Sequence, residues 1–347
     1  MNPDAFALLL STVDPATAEQ PVPPADEALL RETCNLARAN GLYFAFVRRL
    51  EGSDIDLPPG EGARWAGELQ VHERYLRTLE LLRTASEHSR IEYAVIKNVW
   101  TIEHVPRDVD VFVPESDVAG FLEALGGQGF ETLFDDGAEI STASPGSLRV
   151  DIYPRVHYLG RDFLSGAALA AARTTESFSA MRIPTIRADA AFALNSIHSI
   201  FGHGAMTLLD FLDLRALAVR SEDGHPARAH AETFGWARTF DLWMEHLERL
   251  HETVYEKGLA PTFPLRHGRA FIRQAIALLD GDPLALRERI ALRASLLWDD
   301  LLFASEGSGL NDGLRRSAMA SGVANAAGHR LRTLRGDRKR SGGGGSG

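Results

Sequence analysis

Apolar residues recur at helical spacing through the first part of the chain. In residues 62–89 they return every three or four positions, which predicts one long helix. Two shorter helices are predicted over residues 26–40 and 43–50, so residues 27–90 form an N-terminal helical region. Residues 1–26 hold five prolines and few periodic apolar positions outside a short run at 6–10. We expect a loosely ordered N-terminal arm there.

The pattern changes over residues 91–187. Short runs rich in β-branched and aromatic residues predict strands. These runs cover residues 93–96, 109–113, 130–134 and 148–153. A helix is predicted over residues 116–125, stopped by glycines, and residues 178–186 form either a further strand or an extended arm. The region is therefore expected to be a compact α/β core.

Helical spacing returns after residue 187 and predicts a C-terminal helical domain over residues 188–329. Residues 188–220 are helical with a break near 202–204. Further amphipathic segments cover residues 236–257, 268–279, 283–303 and 311–326. Residues 330–347 form a basic tail that ends in SGGGGSG, a flexible linker. The expected fold class is thus α/β (α+β), with a small mixed-sheet core, N-terminal helices and a C-terminal helical domain.

Composition and charge narrow the class of protein. Hydrophobic residues make up 45% of the chain and charged residues 24%, as in ordinary globular proteins. The net charge of -10 disfavours nucleic acid as a partner, since phosphate binding needs clustered Lys and Arg. No apolar run is long enough to span a membrane and the start lacks a basic signal region, so we expect a cytoplasmic protein. Cys34 lies in a helical pattern and is expected to be an unpaired, buried thiol.

Two aspartates alternate within the apolar segment DVDVF at residues 108–112. Alternation along a strand places Asp108 and Asp110 on one face and the valines on the other. Neighbouring carboxylates repel, and a hard cation such as Mg²⁺ or Mn²⁺ stabilises such a pair. The competing interpretation is that the aspartates are solvated residues of an exposed strand face.

A third carboxylate, Asp151, lies in the strand pattern LRVDIY at residues 148–153. On a strand adjacent to the first, it would complete a two-metal site for phosphoryl or nucleotidyl transfer. Lys97 and Asn98 follow the apolar run at residues 93–96 and precede a segment that begins a helix. Such a turn presents backbone N–H groups and a lysine charge to a phosphate.

The order IKN, RDVDVFV and RVDIY resembles the catalytic core of the DNA polymerase beta type nucleotidyltransferase superfamily. More specifically, residues 34–216 resemble an uncharacterised bacterial and archaeal nucleotidyltransferase family with an LKG turn, a DIDLLV strand and a V-D-[IL]-H strand. The helical stretch at residues 195–216, with His198, His203 and DFLDL, resembles that family's C-terminal element. Residues 217–347 are not covered by the resemblance.

The resemblance implies a role for each matching position. Lys97 and Asn98 take the phosphate-binding turn, and Asp108, Asp110 and Asp151 are catalytic residues that bind Mg²⁺ or Mn²⁺. The implied reaction moves a nucleoside monophosphate from an NTP, with ATP as the first candidate, to a hydroxyl or phosphate acceptor and releases pyrophosphate. A small molecule or a protein is favoured as acceptor over RNA.

Asn98 departs from this pattern because the family usually has glycine there. Asparagine tolerates left-handed backbone geometry better than most residues, so the turn is compatible with it. The departure also leaves open a catalytically degenerate protein that binds a nucleotide or a partner without turnover.

Several other residues have both a functional and a structural interpretation. Arg107 is either a structural residue or a contact for the triphosphate, and Arg155 and His157 are either substrate contacts or solvated loop residues. His198 and His203 are five residues apart, which disfavours a zinc pair and favours packing or hydrogen bonding to Asp210 or Asp213. The remaining candidates are Asp135 and Asp136 as rivals for the third carboxylate, and Trp100, Trp236, Trp243 and Trp298 as core anchors.

Overall fold

The structure is a computed structural model, and it describes most of the chain up to residue 257. The described residues are 2–17, 20–53, 55–97, 102–135, 137–158, 161–178, 181–203, 205–221 and 226–257, with 261, 265, 266, 271 and 275. Asn98, Trp100, Asp136 and Trp298 lie outside them. So do the helices predicted over residues 283–303 and 311–326, most of that over 268–279, and the basic tail.

The described residues before the sheet form four α-helices, and the last three agree with the predicted helical region. The four are α1 Pro3–Val13, α2 Glu27–Ala39, α3 Tyr43–Glu51 and α4 Glu61–Ser89. The side chain of Asp26 accepts a hydrogen bond from the Leu29 N–H and so caps α2. Cys34 of α2 is fully buried, as predicted, and burial raises the pKa of its thiol to about 11.

Helix α1 corrects the expectation of a loosely ordered arm over residues 1–26. Asn2 caps the helix, and Pro3 lies in its first turn, where a missing N–H costs no hydrogen bond. Phe6 and Leu9 are buried on the face that packs against α2 and α3. The prolines misled the prediction because Pro3 lies in the first turn and the others follow the helix, so none of them interrupts its interior.

A buried ion pair connects the end of α1 to the C-terminal helices. Arg215 Nη1 lies 2.7 Å from Asp14 Oδ2, and the Tyr255 hydroxyl donates to the same oxygen. Arg215 also lies over the Tyr255 ring, 4.2 Å from its centroid. Since Asp14 is buried, these two partners replace the water that its carboxylate would otherwise bind.

We therefore expect Asp14→Ala to lower the free energy of unfolding by about 3 kcal/mol, because it removes the carboxylate that Arg215 and Tyr255 share and leaves Arg215 with only the Tyr255 hydroxyl as acceptor. Urea denaturation followed by circular dichroism measures the change. The exposed Asp56 provides the control, and Asp56→Ala should shift stability by less than about 0.5 kcal/mol. Equal stabilities of the two variants would contradict this role of Asp14.

The centre of the fold is a seven-stranded mixed sheet with the order β3-β4-β5-β2-β1-β9-β8. Its strands are β1 Ala94–Val95, β2 Asp108–Phe112, β3 Glu131–Asp135, β4 Ile140–Ala143, β5 Arg149–Tyr153, β8 Arg173–Phe178 and β9 Met181–Ile186. The pairs β2/β5 and β1/β9 are parallel, and the other neighbours are antiparallel. Strands β6 Val156–Tyr158 and β7 Arg161–Leu164 form a separate hairpin.

Four predicted strands correspond to β1, β2, β3 and β5, and the helix predicted between them is α5 Val118–Gly127. The polar stretch before β5 contains β4, which the sequence did not predict. The region around residues 178–186 forms two paired strands, β8 and β9, rather than one strand or an arm. A short helix, α6 Gly166–Ala171, precedes them.

Helices follow the sheet as predicted, and the described residues between the first two of them include a π-helical segment and a short strand. The helices are α7 Ala188–Ile197, α8 Leu208–Arg220, α9 Pro226–Thr233 and α10 Ala237–His251, with π-helical segments at His198–His203 and Glu252–Glu256. A two-stranded pair, β10 Ala205–Met206 and β11 Leu265–Arg266, completes the described elements.

Thr207 and Asp210 form a reciprocal cap at the start of α8. Trp236 and Trp243 are fully buried, as expected of core anchors. The predicted fold class, a small mixed-sheet core between N-terminal and C-terminal helices, is confirmed. No helix among these elements is both long enough and apolar enough to cross a membrane.

Candidate active site

The pairing of β2 with β5 brings the three predicted aspartates together. The strands are parallel, and the register places Asp110 opposite Asp151 and Asp108 opposite Arg149. Since side chains alternate along a strand, all four side chains lie on one face of the sheet. The opposite face carries Val109, Val111 and other buried apolar residues.

Two of the carboxylates are buried within this face. Asp110 and Asp151 are both nearly inaccessible, whereas Asp108 at the start of β2 is partly exposed. Ser141 of β4 lies opposite Asp151, and its hydroxyl donates a 2.5 Å hydrogen bond to Asp151 Oδ1. Burial raises the pKa of the Asp151 carboxyl, and the charges of Asp110 and Asp108 add to the rise, whereas Ser141 and Arg149 oppose it.

We expect Ser141→Ala to lower the free energy of unfolding by about 2 kcal/mol, because a buried carboxylate loses a donor. Chemical denaturation at neutral pH measures the loss. Ser116→Ala is the matched control, since that hydroxyl is exposed, and it should be within about 0.5 kcal/mol of the unmodified protein. The assigned role of Ser141 would be wrong if both alanine variants were equally stable.

Two cations neutralise these carboxylates. Arg149 Nη2 lies 2.6 Å from Asp108 Oδ2 and 2.8 Å from Asp151 Oδ2. Lys97 Nζ lies 3.3 Å from Asp110 Oδ2 and 5.8 Å from the centroid of the Tyr153 ring. Burial alone would lower the pKa of Lys97, but Asp110, Tyr158 and Asp108 together outweigh burial, so the pKa is raised and the ammonium stays charged.

Lys97 therefore contacts a carboxylate in this structure rather than standing free for a phosphate. Its predicted partner in the phosphate turn, Asn98, lies outside the described residues. The role of this turn stays a prediction.

Arg149 was missed by the sequence interpretation. It stands two residues before Asp151, and the alternation that places Asp108 beside Asp110 also places Arg149 on the carboxylate face. That signal was present in the RVD motif and was not used. Ser141 had no comparable signal, because finding it required the pairing of β4 with β5.

A tyrosine close enough to Lys97 to interact with its charge is hydrogen-bonded to a histidine. Tyr158 Oη lies 2.9 Å from His198 Nδ1, at the start of the π-helical segment. Asp210, one expected partner of His198, is instead engaged in the cap of α8. Burial raises the pKa of the Tyr158 hydroxyl, and the Lys97 charge opposes the rise. His203 is described only in its backbone.

Arg155 and His157 form their ion pairs with carboxylates other than the three aspartates. Arg155 pairs with Glu115 and Asp162, each at 3.3 Å, and His157 Nδ1 lies 2.7 Å from Asp162. Arg155 and Asp162 line a cavity of about 430 Å³ beyond the carboxyl ends of β2 and β5. Arg107 is exposed just before β2.

Asp135, a rival for the third carboxylate, lies on β3 and accepts a hydrogen bond from the Gly137 N–H at a turn. In the sheet, β4 lies between β3 and β5, so it separates Asp135 from the aspartates of β5 and β2. Within the part of the chain that the structure describes, Asp151 is therefore the carboxylate that lies beside Asp108 and Asp110.

The donor set suits a hard divalent cation, since it consists of carboxylate oxygens on two adjacent strands. No three carboxylate, imidazole or thiolate groups converge at metal-ligand spacing among the residues that the structure describes. Arg149 lies between Asp108 and Asp151, and Lys97 lies against Asp110. By residue type the set suits such an ion, and these ion pairs occupy the carboxylate oxygens that the ion would need.

Two solved structures are similar to parts of this chain. One is the lincomycin-bound crystal structure of the lincosamide antibiotic adenylyltransferase LnuA, with 15% identity, 42% of this chain and 97% of that chain covered, and a TM-score of 0.31. The other is the solution structure of the antibiotic-resistance factor ANT(2'')-Ia, with 10% identity, 50% and 97% covered, and a TM-score of 0.37. No protein-family model matches the chain, and no curated protein matches it in sequence. Similarity at this level assigns no function.

Proposed function

We propose that this protein is a metal-dependent nucleotidyltransferase that moves a nucleoside monophosphate from an NTP to an acceptor hydroxyl. The observation that carries the proposal is the parallel, in-register pairing of β2 with β5, which sets Asp110 opposite Asp151 with Asp108 on the same face. Three carboxylates in this arrangement are suited to holding divalent cations beside a triphosphate. The order of motifs in the sequence supports the same interpretation.

In the proposed reaction the acceptor oxygen bonds to the α-phosphorus, the bond to the bridging oxygen breaks, and pyrophosphate leaves. Mg²⁺ or Mn²⁺, when bound, would neutralise phosphate charge and favour ionisation of the attacking hydroxyl. Asp108 and Asp110 would hold both ions, and Asp151, oriented by Ser141, would contact the ion that favours ionisation of the acceptor hydroxyl. Lys97 holds Asp110 in place and keeps a positive charge near the phosphates.

The acceptor is proposed to be a small molecule or a protein side chain, because a net charge of -10 opposes a nucleic-acid surface. ATP is the first nucleotide to test. Arg107 and Arg155 remain proposed contacts for the triphosphate. Asn98 remains a proposed residue of the phosphate turn.

A binding assay tests the proposal without knowledge of the acceptor. Each nonhydrolysable NTP analogue is titrated into the protein with Mg²⁺ and again with EDTA, in the unmodified chain and in Asp108→Asn. We expect binding that needs the metal and that Asp108→Asn weakens at least tenfold. Transfer of label from α-labelled NTPs to a panel of hydroxyl acceptors then tests turnover. Absence of metal-dependent nucleotide binding in the unmodified chain would sink the proposal.

A second candidate is a degenerate protein that binds a nucleotide or a partner without turnover. It is favoured by one observation, namely that Arg149 and Lys97 already neutralise the carboxylates. In that case nucleotide would bind equally well with EDTA, and Asp151→Asn would leave its affinity unchanged. Calorimetry separates the two candidates.

A further inference from the structure

Arg149 holds the position between the two strands that a bridging cation would take. A single nitrogen of its guanidinium, Nη2, contacts Asp108 Oδ2 at 2.6 Å and Asp151 Oδ2 at 2.8 Å. A divalent cation that joined these two carboxylates would need much the same position. Arginine and metal therefore compete for the same two oxygens.

The two cations of the site differ in how firmly they are held. The Lys97 side chain is only 15% exposed and lies against the Tyr153 ring, with its ammonium directed to the buried Asp110. The Arg149 side chain is 48% exposed, and Arg149 is the first residue of strand β5. In the pair with Asp108 both side chains are partly exposed, and such pairs are weak because water screens them and a long side chain loses entropy in making them. In the pair with Asp151 the carboxylate is only 2% exposed, so that contact is the stronger of the two. Arg149 is thus the cation that can withdraw.

We propose that Arg149 is an exchangeable counter-ion, which a divalent cation displaces from Asp108 and Asp151 when the site is loaded. This inference rests on the proposed function, in which the aspartates hold that cation. Because Arg149 is half exposed at the start of β5, a displaced guanidinium would stay at the edge of the carboxylate face. Guanidinium groups bind phosphate oxygens in paired hydrogen bonds, so the triphosphate offers the displaced side chain a new partner.

A consequence is that metal and nucleotide help each other to bind. The metal alone must compete with Arg149, whereas the triphosphate stabilises the displaced arginine and so favours the metal. A purely structural ion pair would behave in the opposite way. If Arg149 only held the carboxylates in place for the ion, its removal would weaken metal binding or leave it unchanged.

The test is a titration of the whole chain with Mn²⁺ alone, with free Mn²⁺ measured by electron paramagnetic resonance. Arg149→Gln is expected to bind Mn²⁺ about tenfold more tightly than the unmodified chain, the effect of removing a charge-assisted competitor. Arg149→Lys keeps a competing charge and is expected to stay within about threefold of the unmodified chain. The matched control is Arg31→Gln, whose side chain is also 48% exposed and pairs with Glu27 on the surface of α2. It should change the affinity by less than about twofold.

A thermal unfolding series checks that the variants are folded and gives a second readout. Mn²⁺ should raise the Tm of Arg149→Gln more than that of the unmodified chain, because tighter binding to the folded state stabilises it more. Unchanged or weaker Mn²⁺ binding by Arg149→Gln, with measurable binding by the unmodified chain, would overturn this inference and leave the proposed function standing. Absence of Mn²⁺ binding in both chains, with and without a nonhydrolysable NTP, would overturn both.

Discussion

Replacing Asp108 by asparagine is expected to lower the rate of nucleotidyl transfer by about a thousandfold, the loss typical when a transition-state charge contact is removed. The substitution keeps the size of the side chain and removes the negative charge that would hold the cation. Because Asp108 is 31% exposed at the start of β2, the folded state should survive the change. Initial rates with saturating NTP, and circular dichroism of both proteins, give the comparison.

The matched control for this substitution is Asp135→Asn, in the same sheet but on β3. Its asparagine oxygen can still accept from the Gly137 N–H, so neither fold nor rate should change. An Asp108→Asn protein that transfers label as fast as the Asp135→Asn protein would show that the carboxylate pair does not bind the reactive cation.

The second large effect is a loss of stability, and we expect it for Lys97→Met in the absence of divalent cations. The change leaves Asp110 buried without its ammonium partner, and breaking a buried pair on one side typically costs about 3 kcal/mol. Guanidinium-induced unfolding in EDTA measures the free energy. Adding Mg²⁺ should restore part of the stability, since the ion supplies the missing positive charge.

A double variant distinguishes the loss of the pair from the loss of packing around Lys97. In Lys97→Met with Asp110→Asn the buried charge is gone, so we expect the double variant to be more stable than Lys97→Met alone. If the double variant lost, relative to the unmodified chain, as much stability as the two single variants lose together, Lys97 and Asp110 would not act as a pair.

The placement of the three aspartates was predictable because it depends on two local rules. Alternation within DVDVF placed Asp108 and Asp110 on one face, and the apolar pattern around Asp151 indicated a buried strand. What remained was the assumption that the two strands are neighbours, and β2 and β5 are indeed paired in register. The catalytic and metal-binding roles of these residues stay predictions.

The features that were missed depend on contacts distant in sequence or on competing local signals. Strand β4 is only four residues long, with Ser141 and Thr142 at its centre, and it becomes a strand through pairing with both β3 and β5. Ser141 reaches Asp151 only because of that pairing. The bond between Tyr158 and His198 joins residues 40 positions apart and follows no periodic pattern. Helix α1 was not predicted because the region is rich in prolines, although none of them lies in the interior of the helix.

The most direct test of the site is a crystal structure of the protein soaked with Mn²⁺ and a nonhydrolysable NTP, with the metal located by anomalous scattering. We predict a Mn²⁺ peak about 2.2 Å from carboxylate oxygens of Asp108, Asp110 and Asp151, with the triphosphate on the same face of the sheet. A nucleotide bound elsewhere, or no metal between β2 and β5 at saturating Mn²⁺, would contradict the proposed nucleotidyltransferase site.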